Sequence, residues 1–252
     1  MQAIIPKKSF GQHFLHDENV AEKIVHSIQT NNKHILEIGP GKGILTQFLI
    51  KQKEKELKVI EIDNELVTYL KIKYPSLFII SGDFLKINLS EYYNDTLIII
   101  GNFPYNISSQ ILFKVLDNKD SVTELVGMFQ KEVAERIASK PGKKTYGILS
   151  VLLQAFYDIE YLFSVDENLF LPPPQVKSGV IRMIRNFDKK LQCDEVLFKS
   201  VVKTAFSQRR KMLRNSLKNF SIREQFVDNS IFSLRPEQLT GHGFEEICMM
   251  LD

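Results

Sequence analysis

The chain has 252 residues, 44% of them hydrophobic and 25% charged, the balance of an ordinary globular protein long enough for a sizeable core. A formal net charge of +3 excludes a chain that is basic throughout, so the placement of charge matters more than its sum. Cys193 and Cys248 lack metal-ligand spacing and partner histidines, no stretch approaches the ~20 apolar residues of a membrane span, and the first ten residues lack a signal-peptide core. These features give no reason to expect a structural metal, a disulfide framework or a membrane anchor, and the expected compartment is the cytoplasm.

From the N-terminus, residues 19–29 have helical spacing, with Val20, Ile24, Val25 and Ile28 on one side. A short apolar strand then runs into the loop at 39–43, Gly-Pro-Gly-Lys-Gly, and a helical pattern starts at Ile44. Glycine is needed where backbone turns sharply and approaches a ligand closely. The loop lacks the Gly-Lys-Ser/Thr after a longer spacer of the phosphate-binding pattern, and it departs from the dinucleotide fingerprint because its third glycine comes one residue early. A second strand, 57–62, carries Glu61 near its end with Asp63 just beyond. Glu61 lies 20 residues after Gly41, where a carboxylate would meet a ribose diol in a βαβ unit. A third strand, 77–81, runs into Gly82 and Asp83, which could accept an adenine amine. Each acid taken alone is equally an ordinary helix cap or strand-end residue.

The apolar run 96–100 leads into Gly101-Asn102-Phe103-Pro104-Tyr105. A buried strand ending this way presents an amide side chain, a proline-fixed carbonyl and an aromatic face. Asn102 Oδ1 and a main-chain carbonyl can accept both N–H bonds of an exocyclic amine while Tyr105 stacks on the ring. The competing reading is a plain strand-to-turn junction.

Alternation of strands and helices to about residue 130 predicts a parallel sheet. Residues 132–139 and 147–155 read as helices. Residues 159–165 and 176–184 read as strands flanking a proline loop, able to close the sheet with an antiparallel edge. The polar stretch 186–190 reads as a linker. Helices are expected over 195–217 and 222–229, with one or two short ones over 235–251. Between 196 and 223 there are eight Lys or Arg and no Asp or Glu. Such a surface attracts a phosphate backbone, and the expected contacts centre on Arg209, Arg210, Lys211 and Arg214. Lys7, Lys8 and the loop 140–144 are weaker candidates for the same surface.

The ordered set of Gly-rich loop, three strand-end acids and Asn-Phe-Pro-Tyr resembles the methyltransferases that use S-adenosylmethionine to modify the adenine amine. Within that class the chain resembles the ribosomal RNA adenine dimethyltransferase family over nearly its whole length. The carrying stretches are Lys8-Ser9-Phe10-Gly11-Gln12-His13-Phe14-Leu15 and Gln130-Lys131-Glu132-Val133. To these add Tyr146-Gly147-Ile148-Leu149-Ser150-Val151 and Phe170-Leu171-Pro172-Pro173-Pro174-Gln175-Val176-Lys177-Ser178. Late in the chain Gln208-Arg209-Arg210-Lys211-Met212-Leu213-Arg214-Asn215-Ser216-Leu217 and Leu234-Arg235-Pro236-Glu237-Gln238-Leu239 resemble the C-terminal domain of the small-subunit enzyme. Position 13 is His where many relatives have Asn, and position 103 is Phe where many have Leu.

The resemblance implies an α/β fold: a Rossmann-like catalytic domain over 1–185 and a small all-α, rRNA-binding domain over 191–252. It implies dimethylation of two adjacent adenines near the 3′ end of 16S rRNA, in immature 30S subunits; nothing in the sequence suggests an obligate partner, and a monomer is expected. Three alternatives stay open: a large-subunit resistance methyltransferase, a DNA adenine methyltransferase, and a binding protein acting in ribosome assembly or transcription. The cofactor would be held by His13, Leu15, Gly39, Gly41, Glu61, Asp83 and Asn102. Asn102, Pro104 and Tyr105 would meet the target base, with Phe170 on its other face.

Overall fold

The structure is a computed structural model and describes residues 5–7 and 10–252. It opens on a two-residue strand, β1 (Phe14–Leu15). Asp17 caps the next helix, α1 (Glu18–Val25), its carboxylate accepting from the Val20 amide at 2.8 Å. Strand and helix then alternate through β2 (His34–Ile38), α2 (Thr46–Leu49), β3 (Glu56–Glu61), α3 (Asn64–Lys73), β4 (Phe78–Ser81), β5 (Leu97–Asn102), α4 (Ser108–Asp117) and β6 (Val122–Gln130). Two short helices, α5 (Lys131–Ile137) and α6 (Ile148–Gln154), precede β7 (Tyr157–Val165). The two-residue β8 (Phe170–Leu171) pairs antiparallel with β1, and β9 (Ser178–Arg185) follows. The chain closes with α7 (Glu195–Ser207), α8 (Leu213–Ser216) and α9 (Gly241–Met249).

Seven strands form one sheet in the order β4-β3-β2-β5-β6-β9-β7. The first five are parallel neighbours, and β9 runs antiparallel to β6, the edge direction expected from the sequence. Buried on both faces, β5 reads as a continuous apolar run, Leu97 to Ile100, all fully buried. From β2 the chain winds outwards to β3 and β4, then returns to the other side of β2 as β5. The order therefore reverses between β2 and β5, and in such sheets ligands bind in the crevice at the carboxyl ends of those strands. The glycine loop and Asn102 both sit there.

The chain divides into two compact units, one reaching Ala134 and resuming over Ile159–Arg185, the other comprising Glu135–Asp158 and Asn186–Asp252. The first holds the sheet and its flanking helices. The second is mainly helical, with α6, α7 and α9 packed together and Tyr146, Phe206 and Phe244 in edge and tilted ring contacts. Residues 135–158 thus group with the helical unit, whereas the sequence boundary at 185 assigns them to the first domain. The polar stretch 186–190 is tied down within that unit: Lys189 Nζ donates to the Gln154 and Tyr157 carbonyls at 3.1 and 2.9 Å.

The expected helix over 195–217 is broken. It ends at Ser207 and restarts at Leu213, whose amide donates to the Leu234 carbonyl at 2.8 Å instead of to its own helix. The basic residues Arg209, Arg210 and Lys211 consequently lie on a turn. The expected helix over 222–229 is replaced by 3-10 turns at Glu224–Phe226 and Ser230–Ser233, the latter capped by Asn229. Asn and Ser compete with helical hydrogen bonding through their own side chains.

Candidate active site

A cleft of about 990 Å³, part of it open to solvent, occupies the switch point. Its floor is the loop after β2. Gly39, Gly41 and Gly43 all have positive φ (65°, 57° and 80°), a conformation that any side chain would strain. A Cβ at Gly39 would meet nothing within 4 Å, so the backbone there stands bare to the cleft. At Gly41 it would press on the Phe14 ring at 3.1 Å.

At the end of β3, Glu61 is only 5% exposed. Its Oε2 accepts from the Gly41 amide at 3.3 Å and its Oε1 from the Asp63 amide at 3.0 Å. Burial raises its pKa, and the backbone N–H bonds oppose that rise. Asp83, beyond β4, lines the cleft and accepts from the Leu85 amide at 2.9 Å. Glu37, at the end of β2 and 1% exposed, also lines it. The Thr46 hydroxyl donates to Glu37 Oε2 at 2.6 Å, yet burial dominates and pushes its pKa up to about 8.

At the end of β5, Asn102 Nδ2 donates to the His13 carbonyl at 2.9 Å. Its Oδ1 has no hydrogen-bond partner among the described residues and is the acceptor left for a ligand. The Phe103 amide donates to the Met128 carbonyl at 3.1 Å, and the ring is buried against Phe129 at 5.0 Å between centroids. An apolar residue facing the core at 103 is what the sequence leads one to expect. The Pro104 carbonyl accepts from the Ile107 amide at 3.2 Å. Tyr105 shares a 2.6 Å hydrogen bond with Ser178 Oγ, and its ring stacks on His13 at 5.6 Å and 25°. Burial raises the Tyr105 pKa, so the phenol is neutral at physiological pH.

The structure brings His13, Leu15, Gly39, Gly41, Glu61, Asp83, Asn102, Pro104 and Tyr105 to this one cleft. His13 lines it too: its carbonyl receives Asn102 Nδ2, its Nδ1 is 2.8 Å from the Pro172 oxygen, and its ring stacks on Tyr105. Phe170 is the exception and corrects the expectation. It is 2% exposed, belongs to the apolar core with Leu15 and Val180, and does not line the cleft. The reason is strand alternation: Phe170 is paired with Leu15, and both are buried, whereas Leu171, opposite Phe14, is 59% exposed.

In the helical unit, Arg210, Lys211 and Arg214 are exposed. Arg209 lies 3.8 Å from Glu237 and donates to the Lys143 carbonyl at 3.2 Å, and Arg214 bonds the Ser233 hydroxyl. Lys8 lies outside the described residues. Lys7 does not present a free charge for RNA: its Nζ lies 2.7 Å from Asp63 and 2.9 Å from Glu65. Sequence reasoning missed the roles of Lys7, Gln12, Glu37 and Ser178. Their partners are 9 to 73 positions away, beyond any local pattern. Among the described residues no cluster of three or more His, Cys, Asp or Glu could hold a metal, and no helix is long and apolar enough to cross a membrane.

A family model described as "Ribosomal RNA adenine dimethylase" matches residues 5–246. A protein of Cytophaga hutchinsonii called ribosomal RNA small subunit methyltransferase A is 54% identical, covering 100% of this chain and 99% of its own. The protein of the same name from Flavobacterium johnsoniae is 55% identical over 97% of this chain and 95% of its own. Among solved structures, a dimethyladenosine transferase from Plasmodium falciparum superposes with a TM-score of 0.81 at 23% identity, over 94% of this chain and 96% of that one. The 23S rRNA methyltransferase ErmE superposes at 0.71 and 23% identity, over 94% and 99%. At that identity the two structures establish the fold, the α/β methyltransferase sheet.

Proposed function

Because the chain belongs to the ribosomal RNA adenine dimethylase family, we propose that it dimethylates the N6 amines of two adjacent adenines near the 3′ end of 16S rRNA, late in small-subunit assembly. The cofactor is S-adenosylmethionine. The observation that carries the reading is Asn102: it lines the cleft with Tyr105, and its Nδ2 is tied to the His13 carbonyl, so Oδ1 is its unpartnered acceptor among the described residues. The small-subunit target is supported by the name shared by relatives above 50% identity.

The residues present fit the cofactor. Bare glycine backbone at Gly39 accommodates a close ligand, with Gly41 beside it under the Phe14 ring, Glu61 offers carboxylate oxygens to a ribose diol, and Asp83 accepts an adenine amine. When bound, S-adenosylmethionine supplies an activated methyl group on a sulfonium.

The chain's own task is to ready the nitrogen. An adenine N6 lone pair is delocalised into the ring and is a poor nucleophile. Asn102 Oδ1 and the Phe103 carbonyl, accepting its two N–H bonds, favour a more tetrahedral nitrogen with a localised lone pair. The Pro104 carbonyl already accepts from the Ile107 amide, which favours Phe103 as the second acceptor. Tyr105 has one ring face on His13, so the extruded base stacks on the other. Positioning supplies most of the rate, and no strong base is required because the proton leaves a cationic nitrogen. In the helical unit, exposed Arg210, Lys211 and Arg214 contact rRNA phosphates. The protein works as a monomer in the cytoplasm, where its subunit substrate is assembled.

The test uses immature 30S subunits from a strain lacking the activity, the purified protein and labelled S-adenosylmethionine. Mass spectrometry is expected to find dimethyladenosine at two adjacent small-subunit adenines, and none with Asn102→Ala. Label only in large-subunit RNA, or tight subunit binding without transfer, overturns the reading.

A further inference from the structure

The carboxylate of Asp63 is 2% exposed and has more partners than a helix cap needs. Oδ1 accepts from the Glu65 amide at 3.1 Å, the ordinary capping bond of α3, but also from Lys7 Nζ at 2.7 Å. Oδ2 accepts from Gln12 Nε2 at 3.1 Å, and Gln12 Oε1 in turn accepts from the Lys7 amide at 2.8 Å. Lys7, Gln12 and Asp63 thereby close a ring of hydrogen bonds between the N-terminal strap and the end of β3. The strap, residues 10–15, forms one wall of the cleft.

That ring touches the machinery at both ends. The Asp63 amide donates to Glu61 Oε1 at 3.0 Å. One residue along the strap from Gln12, the His13 carbonyl receives Asn102 Nδ2 at 2.9 Å. Next, the Phe14 ring lies where a Cβ on Gly41 would approach to 3.1 Å, so the strap rests directly on the glycine loop. Burial by itself would raise the Asp63 pKa, and the bonds from Lys7 and Gln12 outweigh it and hold the carboxyl below its ordinary range.

We propose that Asp63 is a positioning residue: with Lys7 and Gln12 it latches the N-terminal strap across the cofactor cleft, and through the His13 carbonyl it fixes the orientation of Asn102. This rests on the reading of the cleft as the S-adenosylmethionine site. Asp63 does not itself line the cleft. It couples the carboxylate assigned to the ribose with the amide assigned to the target base, so releasing the latch loosens cofactor binding and disorients the acceptor together.

The test leaves Asp63 and its helix cap in place and removes the strap's side of the ring with Lys7→Met and Gln12→Ala, singly and combined, in the full chain. In the ligand-free protein, amide exchange over residues 10–15 is expected to rise about ten-fold in the double variant, well beyond the rise in segments of the sheet remote from the strap, while the melting temperature falls because Asp63 loses its partners. S-adenosylhomocysteine, measured by calorimetry, is expected to bind about ten-fold more weakly. KM for the cofactor rises and kcat falls together, and Lys7→Arg restores both, which a purely structural cap would not produce. Wild-type exchange and affinity in the double variant overturn the latch. Failure of the unmodified protein to bind S-adenosylhomocysteine overturns the cofactor site itself, while the exchange result still reports on the ring.

Discussion

The side-chain amide of Asn102 donates to the main-chain carbonyl of His13 at 2.9 Å, across 89 positions of sequence. This bond decides which end of the amide faces the cleft. Asn102→Asp keeps the shape but sets a carboxylate oxygen against the His13 carbonyl. A fall of about 10²-fold in the single-turnover rate is expected, the scale of losing one well-placed polar contact to the transition state. S-adenosylhomocysteine affinity should change far less. Rapid-quench methylation of immature subunits with a parallel binding titration checks it, and equal losses in both would count against a substrate-facing role.

Glu37 predicts a pH dependence of stability with a definite sign. Its folded pKa, raised by burial from 4.5 to about 8, means that the native state holds a proton that the unfolded state releases between those values. Stability from this group is therefore full below pH 4.5 and declines as pH rises towards 8, by about 1.4 kcal/mol per pH unit within that window. Glu37→Gln, which retains an acceptor for Thr46, should flatten that slope. Thermal melts of both proteins from pH 5 to 8 measure the difference, and parallel curves would show that Glu37 is not buried as an acid.

The space beside the site is set by paired glycines. Gly127 on β6 lies opposite Gly101 on β5, and a Cβ at Gly127 would come within 2.2 Å of the Phe103 ring. Gly127→Ala should cost about 1–3 kcal/mol through overpacking and displace Phe103, which lies between Asn102 and Pro104. Phe103→Leu removes the clashing ring edge, so the double variant should regain a large part of both melting temperature and activity. Strict additivity of the two losses would disprove the steric link.

On the helical unit, Arg210 and Lys211 are exposed and make no ion pair among the described residues, whereas Arg209 is 3.8 Å from Glu237. Arg210→Ala and Lys211→Ala should each weaken subunit RNA binding and lower the slope of log affinity against log salt by about 0.7–0.9. Arg209→Ala should lower it less, because Glu237 already neutralises part of its charge. Filter binding across a salt series distinguishes them.

Much of the site was legible because its signals are local. Gly39, Gly41, Glu61, Asp83 and Asn102 each lie at the end of a strand or within three residues beyond it, and a parallel sheet gathers strand ends at one edge. Phe170 was misplaced because its orientation depends on a two-residue strand pairing with Leu15, 155 positions away. No periodicity exists over two residues. The basic run at Arg209–Lys211 has helical propensity, but the backbone turns there, and the Leu213 amide bonds the distant Leu234 carbonyl.

The sequence by itself determined the family, the chemistry and the order of the central strands' functional ends, since apolar runs, glycines and terminal acids are written in consecutive residues. Tertiary structure alone decided which atoms of those residues are free. It tied Asn102 Nδ2 to the His13 carbonyl, committed Lys7 to Asp63, placed the His13 ring on Tyr105 and put Phe170 in the core. These outcomes depend on hydrogen bonds and packing between segments far apart in the chain. Each buried polar atom must find a partner, and which partner it finds is fixed only when the strap, the strand ends and the proline loop come together.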